Sequence, residues 1–550
     1  MKCSTLKSQF TAVALAALGF TACKKDVAIQ PDNAASIDSA SIAAMRKAGG
    51  GGGTLVVNTY YISPSGNDAT GTGAIGSPWK TLYKATSAVS ASGAVIHVNA
   101  GTYTETATCA LKPGVSIEGE GVTSVIRNTL TADWSTMLTL YSPEGTDGNQ
   151  QISKLKFDGQ NLSSFYGIMV NGRKNVSIHD ITIVNFKETG IIFAGRADNV
   201  DGAPSIYAIG NKFYNNTVSN CSRYEGYGRG SFDFGGQDGM LIYNNVITQN
   251  QRPAGNNGYC IKYINNGFNK GCKLYGNTLT RSQSTGGDFD FCVELTNTSG
   301  FEAYNNVFNG GALDMNFQTK GTYAYSVWIH DNQFLQPVVN TAAHQDGIIL
   351  EFGTESAIIE NNVFSKQNFG IHFTPRDGSV VKDVTIRKNL MKDIASGVWG
   401  GYYISFGNTG NNFQFSNINV YNNTMENDRS KPFWLGINLP TTNGGALSNI
   451  NIKNNIITGC MSAAVGQSGS TVISNLSIQN NDFYNNGNNN GMYFIGPSAG
   501  AGYSFTNNLT TVPTYATNYT LPAGSPLINK GINVGLLFNG TAPDIGYAEY

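Results

Sequence analysis

Eight polar residues recur, each between two apolar neighbours, in short runs spread over the middle of the chain. The runs are Phe232-Asp233-Phe234, Ile261-Lys262-Tyr263, Val293-Glu294-Leu295, Met315-Asn316-Phe317, Leu350-Glu351-Phe352, Ile371-His372-Phe373, Ile404-Ser405-Phe406 and Ile437-Asn438-Leu439. Along a strand, alternate side chains face opposite sides, so the flanking residues enter a core and the middle one faces out. Stacked as neighbouring strands about 4.8 Å apart, the runs place acids, a lysine and a histidine in one outward column. An ordinary polar surface accounts for part of this, because unlike charges on adjacent strands stabilise each other modestly. Glu294, Glu351 and His372 fall within four strands, however, and that density suits acid–base chemistry.

Two residues earlier, a second outward column is expected at Ser231, Cys260, Cys292, Asp314, Ile349, Gly370, Tyr403 and Gly436. Two further back lie Arg229 and, at the far end, Trp434. Aromatic rings beside a polar groove suit a sugar polymer, since a pyranose ring presents apolar C–H faces. Asp233, Asn316, Tyr403, Ser405, Trp434 and Asn438 are therefore expected to contact a polysaccharide. Cys260 and Cys292 should be neighbours, close enough for a disulfide.

Two cleavage chemistries use such a column. In β-elimination from a uronate, Lys262 would remove the proton beside the carboxylate and Arg229 or His372 would assist the leaving oxygen. Glu294, Asn316 and Glu351 would hold Ca²⁺ against the substrate carboxylate. In glycoside hydrolysis, Glu294 and Glu351, two strands apart and roughly 9 to 10 Å at the backbone, would be the paired carboxyls of an inverting enzyme. A solenoid that binds glycan without cutting it is the third possibility.

The elements that position these residues follow from a second pattern. An apolar pair, a polar residue, a pair ending in Asn and a further apolar pair return along the chain, as in Leu241-Ile242-Tyr243-Asn244-Asn245-Val246-Ile247. The closing asparagines are Asn216, Asn245, Asn277, Asn306, Asn332, Asn362, Asn389, Asn423, Asn455, Asn481 and Asn508, spaced 26 to 34 residues apart. Such a period, rich in strand formers and lacking a helical apolar stripe, specifies a solenoid of stacked β-coils. Asparagine at one place in every coil predicts an amide ladder inside a turn. The fold class is all-β, a right-handed single-stranded parallel β-helix. With 66 glycines and only 13% charged residues the composition agrees. A formal net charge of −1 carries no basic signature, so nucleic acid is not the expected partner.

Residues 1–22, with Lys2 and Lys7 before the apolar stretch Phe10–Phe20, have the layout of a secretory signal. Thr21-Ala22-Cys23 resembles a bacterial lipobox, which implies acylation of Cys23 and a cell-envelope location with membrane contact through lipid alone. Residues 23–55 read as a tether and 56–550 as the β-helix, a monomer. Ser77 followed by Pro78 predicts a short N-terminal helix that covers the open end of the solenoid.

Tyr61-Ile62-Ser63-Pro64-Ser65-Gly66-Asn67, Ser77-Pro78-Trp79-Lys80-Thr81-Leu82 and Val98-Asn99-Ala100-Gly101-Thr102-Tyr103 together resemble the opening of pectate-lyase-like β-helix proteins. Gly524-Ser525-Pro526-Leu527-Ile528-Asn529-Lys530-Gly531 resembles the tail of many secreted members. The resemblance implies the fold over nearly the whole chain, and it supports a calcium-assisted polysaccharide lyase in type. Signatures of the polygalacturonase kind, Asn-Thr-Asp and Gly-His-Gly, do not occur.

Overall fold

The computed structural model describes residues 58–550 apart from 163–165, 199, 223–227, 250–257, 282–290, 317–323, 338–344, 395–399, 408–410, 428–433, 442–443, 469–470, 488 and 496–498. The expected signal, Cys23 and the expected tether lie outside the described residues. Every named strand pairing is parallel, and strands pair with their counterparts one coil away. A coil in the middle of the chain is built on three main strands, for example Gly230–Gly235, Leu241–Tyr243 and Val246–Gln249, here with the two-residue strand Gln237–Asp238 between the first two. Each lies beside its equivalent in the next coil: Tyr259–Tyr263, Lys273–Tyr275 and Thr278–Arg281. The result is a right-handed parallel β-helix, with one apolar core running its length.

The turn between the second and third strands shows why asparagine repeats. From Asn216 to Asn508, each ladder asparagine donates through Nδ2 to Oδ1 of the next, at 2.9 to 3.1 Å. Oδ1 also accepts the backbone N–H of the preceding ladder residue, as Asn362 does from Asn332 at 3.0 Å. A primary amide alone supplies a donor and a two-fold acceptor at this length. The residue just before each ladder asparagine is left-handed, with φ of 54° at Asn244 and 56° at Asn361. Asparagine and glycine tolerate that conformation, which explains the doubled Asn of the repeat.

The short helix is present but begins later than Ser77. It spans Leu82–Ala88, with Thr81 as N-cap accepting from Lys84 N. Trp79 stays extended, bridges Ile62 and packs against the ring of Tyr60 at 5.7 Å, so the chain cannot turn helical until it has left the core. Buried Glu105 accepts the first two helical N–H groups, Leu82 N at 2.7 Å and Tyr83 N at 3.0 Å.

Candidate functional site

Strand pairing fixes the outward column. It runs Asp233, Lys262, Glu294, Asp314, Ile349, His372, Ser405, Asn438, each beside the next on an adjacent coil. Two expected members are displaced. Asn316 lies beside Thr296, not Glu294, and Glu351 lies beside Thr374, not His372. They belong to a parallel column two residues further on, with Thr296 and Thr374. The true counterparts of Val293-Glu294-Leu295 are Leu313-Asp314-Met315 and Ile348-Ile349-Leu350. A slip of two residues keeps every side chain on its own face, so alternation cannot detect it.

The column expected two residues earlier mostly turns inward. Cys260, Cys292 and Tyr403 belong to the core, Ser231 is fully buried, and a Cβ on Gly370 or Gly436 would meet core atoms of Met391 or Ile457. In these strands two consecutive side chains are buried, and outward residues come three apart. Tyr259 precedes Lys262, Phe291 precedes Glu294, Phe369 precedes His372 and Tyr402 precedes Ser405. Tyr403, expected to touch substrate, is instead completely buried and donates its hydroxyl to Thr458 O at 2.9 Å. Cys260 and Cys292 do share a position on adjacent coils, but no disulfide joins them. Their thiols donate into the core, to Thr280 O at 3.3 Å and Leu279 O at 3.7 Å.

Around the column, each cation faces a carboxylate. Lys262 Nζ is 2.8 Å from Glu294 Oε2 and 4.2 Å from the centre of the Tyr259 ring. His372 Nδ1 is 3.2 Å from Asp346 Oδ2, with its ring stacked on Phe369 at 4.4 Å. Arg229 Nε is 3.8 Å from Glu188 Oε1. Asp233 is wholly buried, accepting from Gly230 N at 2.8 Å and Thr189 Oγ1 at 3.1 Å, so it braces the strand ends. Burial pushes its carboxyl up to about 6, against the pull of Arg229. Ser405 is buried and sits 3.4 Å from Asn438 Nδ2, while Trp434 is 57% exposed just before its strand.

Asp314 stands apart. Burial first, then the charges of Glu351, Glu294 and Asp346, hold its carboxyl well above the usual carboxylate range, with Lys262 acting the other way. Its Oδ1 is buried without a hydrogen-bond partner among the described residues, as are Asn316 Oδ1, Thr296 Oγ1 and Thr374 Oγ1. Burial and then Glu294 raise the Tyr259 phenol as well. A carboxyl held above its usual range beside other acidic groups is an arrangement suited to acid–base catalysis.

For calcium, Glu294 stands in one column against Lys262, while Asn316 and Glu351 stand in the next. Sequence reasoning placed Asp314 one column off and left out Asp346, Tyr259 and Phe369. Asp314 was findable, because Leu313-Asp314-Met315 matches the apolar–polar–apolar pattern as well as Met315-Asn316-Phe317 does.

A family model described as a protein of unknown function, DUF1565, matches residues 64–334. No curated protein matches the chain. Solved structures with similarity include the Agl-KA catalytic domain, at 16% identity and a TM-score of 0.45, covering 66% of this chain and 63% of that one. Pectate lyase Pel9A is 14% identical with a TM-score of 0.28, covering 90% and 96%. Alginate lyase from Paenibacillus sp. str. FPU-7 is 16% identical with a TM-score of 0.31, covering 62% and 92%. The chain spans less than two thirds of the Agl-KA domain.

Proposed function

We propose that this β-helix cleaves a neutral polysaccharide by hydrolysis, with Asp314 as the acid that protonates the glycosidic oxygen. The supporting observation is the environment of Asp314, whose carboxyl is held above the usual carboxylate range by burial and by Glu351, Glu294 and Asp346 and whose Oδ1 is buried without a hydrogen-bond partner among the described residues. Glu351, partly exposed on the neighbouring column, is the base that takes a proton from water as it attacks the anomeric carbon. The C–O bond breaks, the leaving oxygen takes the Asp314 proton, and water supplies the new hydroxyl. Thr296, Asn316 and Thr374 offer acceptor oxygens to sugar hydroxyls. The Lys262–Glu294 pair fixes the adjacent edge, and His372 is oriented by Asp346.

Elimination from a uronan, the reading the sequence favours, asks for a cation facing the sugar carboxylate. Lys262 and Arg229 already face Glu294 and Glu188, and the surrounding acids repel a second carboxylate. An acylated Cys23 would hold the solenoid at the cell envelope, beside its polymer. The deciding assay incubates the protein with neutral and uronate polysaccharides and follows both reducing ends and ultraviolet absorbance. Reducing ends from a neutral polymer without absorbance support hydrolysis. Absorbance from a uronan, marking a new C=C bond, overturns it.

A further inference from the structure

The same outward face carries two exposed aromatic residues at its low-numbered end. Trp134 is 55% exposed and Tyr141 is 59% exposed. They flank Thr139, which pairs with Met169. Met169 pairs with Ile192, Ile192 with Asp233 and Asp233 with Lys262. One column therefore leads from Thr139 through Lys262 and Glu294 to Asp314, six strand spacings or about 29 Å away. Its floor is apolar, with Ile192, Tyr166, Ala194 and Ile264 packed together and Met169 against them.

Trp134 is held at φ 64°. A bulky side chain seldom adopts the left-handed conformation, and such strain persists where the surroundings impose it. That backbone sets its ring 6.4 Å from Tyr166. Tyr166, its phenol raised to about 12 by burial, also lies within electrostatic reach of Arg229, Glu188 and Asp233. The strained tryptophan thus touches Tyr166, a buried member of the apolar cluster beside the column.

We propose that Trp134 and Tyr141 form a distal subsite that stacks on the C–H faces of the glycan chain threaded through the column. The inference rests on the glycan reading above and adds that the ligand is a polymer long enough to reach from Asp314 to the first coils. Polymer ends shorter than that span would bind without using this subsite.

The test is retardation in native gels containing dextran, xylan, mixed-linkage β-glucan or polygalacturonate, with D314N as the uncut background. Adding W134A or Y141A to D314N should weaken binding to the retarding polymer about tenfold, while W134F, which keeps a ring, retains most of it. Equal retardation of the alanine variants and D314N alone overturns the subsite and leaves the hydrolysis reading standing. No retardation of D314N by any of the four polymers overturns the subsite. A D314N protein that still cuts overturns only the role of Asp314. Circular dichroism of each variant separates lost binding from lost folding.

Discussion

The asparagine turn and the Asp314 column lie on the same coils and obey opposite rules. In the turn, eleven coils repeat one residue in one conformation, and each buried amide meets another at 2.9 to 3.1 Å. In the column, neighbouring coils differ in residue type, and Asp314 Oδ1 is buried without a partner among the described residues. Identical satisfied polar groups stabilise a solenoid coil by coil. Dissimilar and unsatisfied ones cost stability, and they persist where a ligand supplies the missing partners. Regularity marks the scaffold here, and its interruption marks the chemistry.

The sharpest way to break that contrast is D314N. Turnover should fall by about 10²- to 10⁴-fold, the usual worth of a general acid, while the melting temperature stays level or rises. Wild-type kcat/KM should fall on the alkaline side only well above the ordinary carboxylate range, because the acid form is the active one. A variant with both activity and stability unchanged would make Asp314 an ordinary buried carboxyl.

N362A tests the other region. It removes the acceptor for Asn332 N and Nδ2 and the donor to Ile329 O and Asn389 Oδ1. Leaving those groups buried and unpaired should cost about 3 kcal/mol in denaturant unfolding, with the turnover of folded molecules unchanged. Loss of activity without loss of stability would reverse the two assignments.

A smaller effect belongs to Asp233. Its folded-state value of about 6 lies above the ordinary 3.8, so the folded form binds the proton more tightly. That contribution to stability is complete below pH of about 4 and is lost as pH rises through about 6. D233N should flatten this part of the melting-temperature profile, and an unaltered slope would show that other groups cause it. The smallest effect is expected of reductant. No disulfide joins any of the six described cysteines, so dithiothreitol should leave the melting temperature where it was.

The coil repeat was legible in the sequence because one side chain does one job eleven times, and the amide ladder follows from that alone. The site was half legible. Lys262, Glu294 and His372 were placed in the right column, since Ile261, Val293 and Ile371 flank them unambiguously. Asn316 and Glu351 were misplaced because Met315 and Leu350 are shared by two overlapping triplets, and a slip of two preserves facing. Tyr403 was misplaced for another reason. Strict alternation put it outside, whereas Tyr403 and Ile404 are buried together and Tyr402 is left facing out.

Everything functional depends on Glu294 and Asp314 being neighbours across one strand spacing. Adjacent positions on parallel strands lie about 4.8 Å apart at Cα, within the range a disulfide spans. Under mild oxidation E294C/D314C should therefore cross-link readily, and E294C/N316C, displaced by two residues, should not. Cross-linking of E294C/N316C in preference to E294C/D314C would contradict this register and remove Asp314 from the cleavage column.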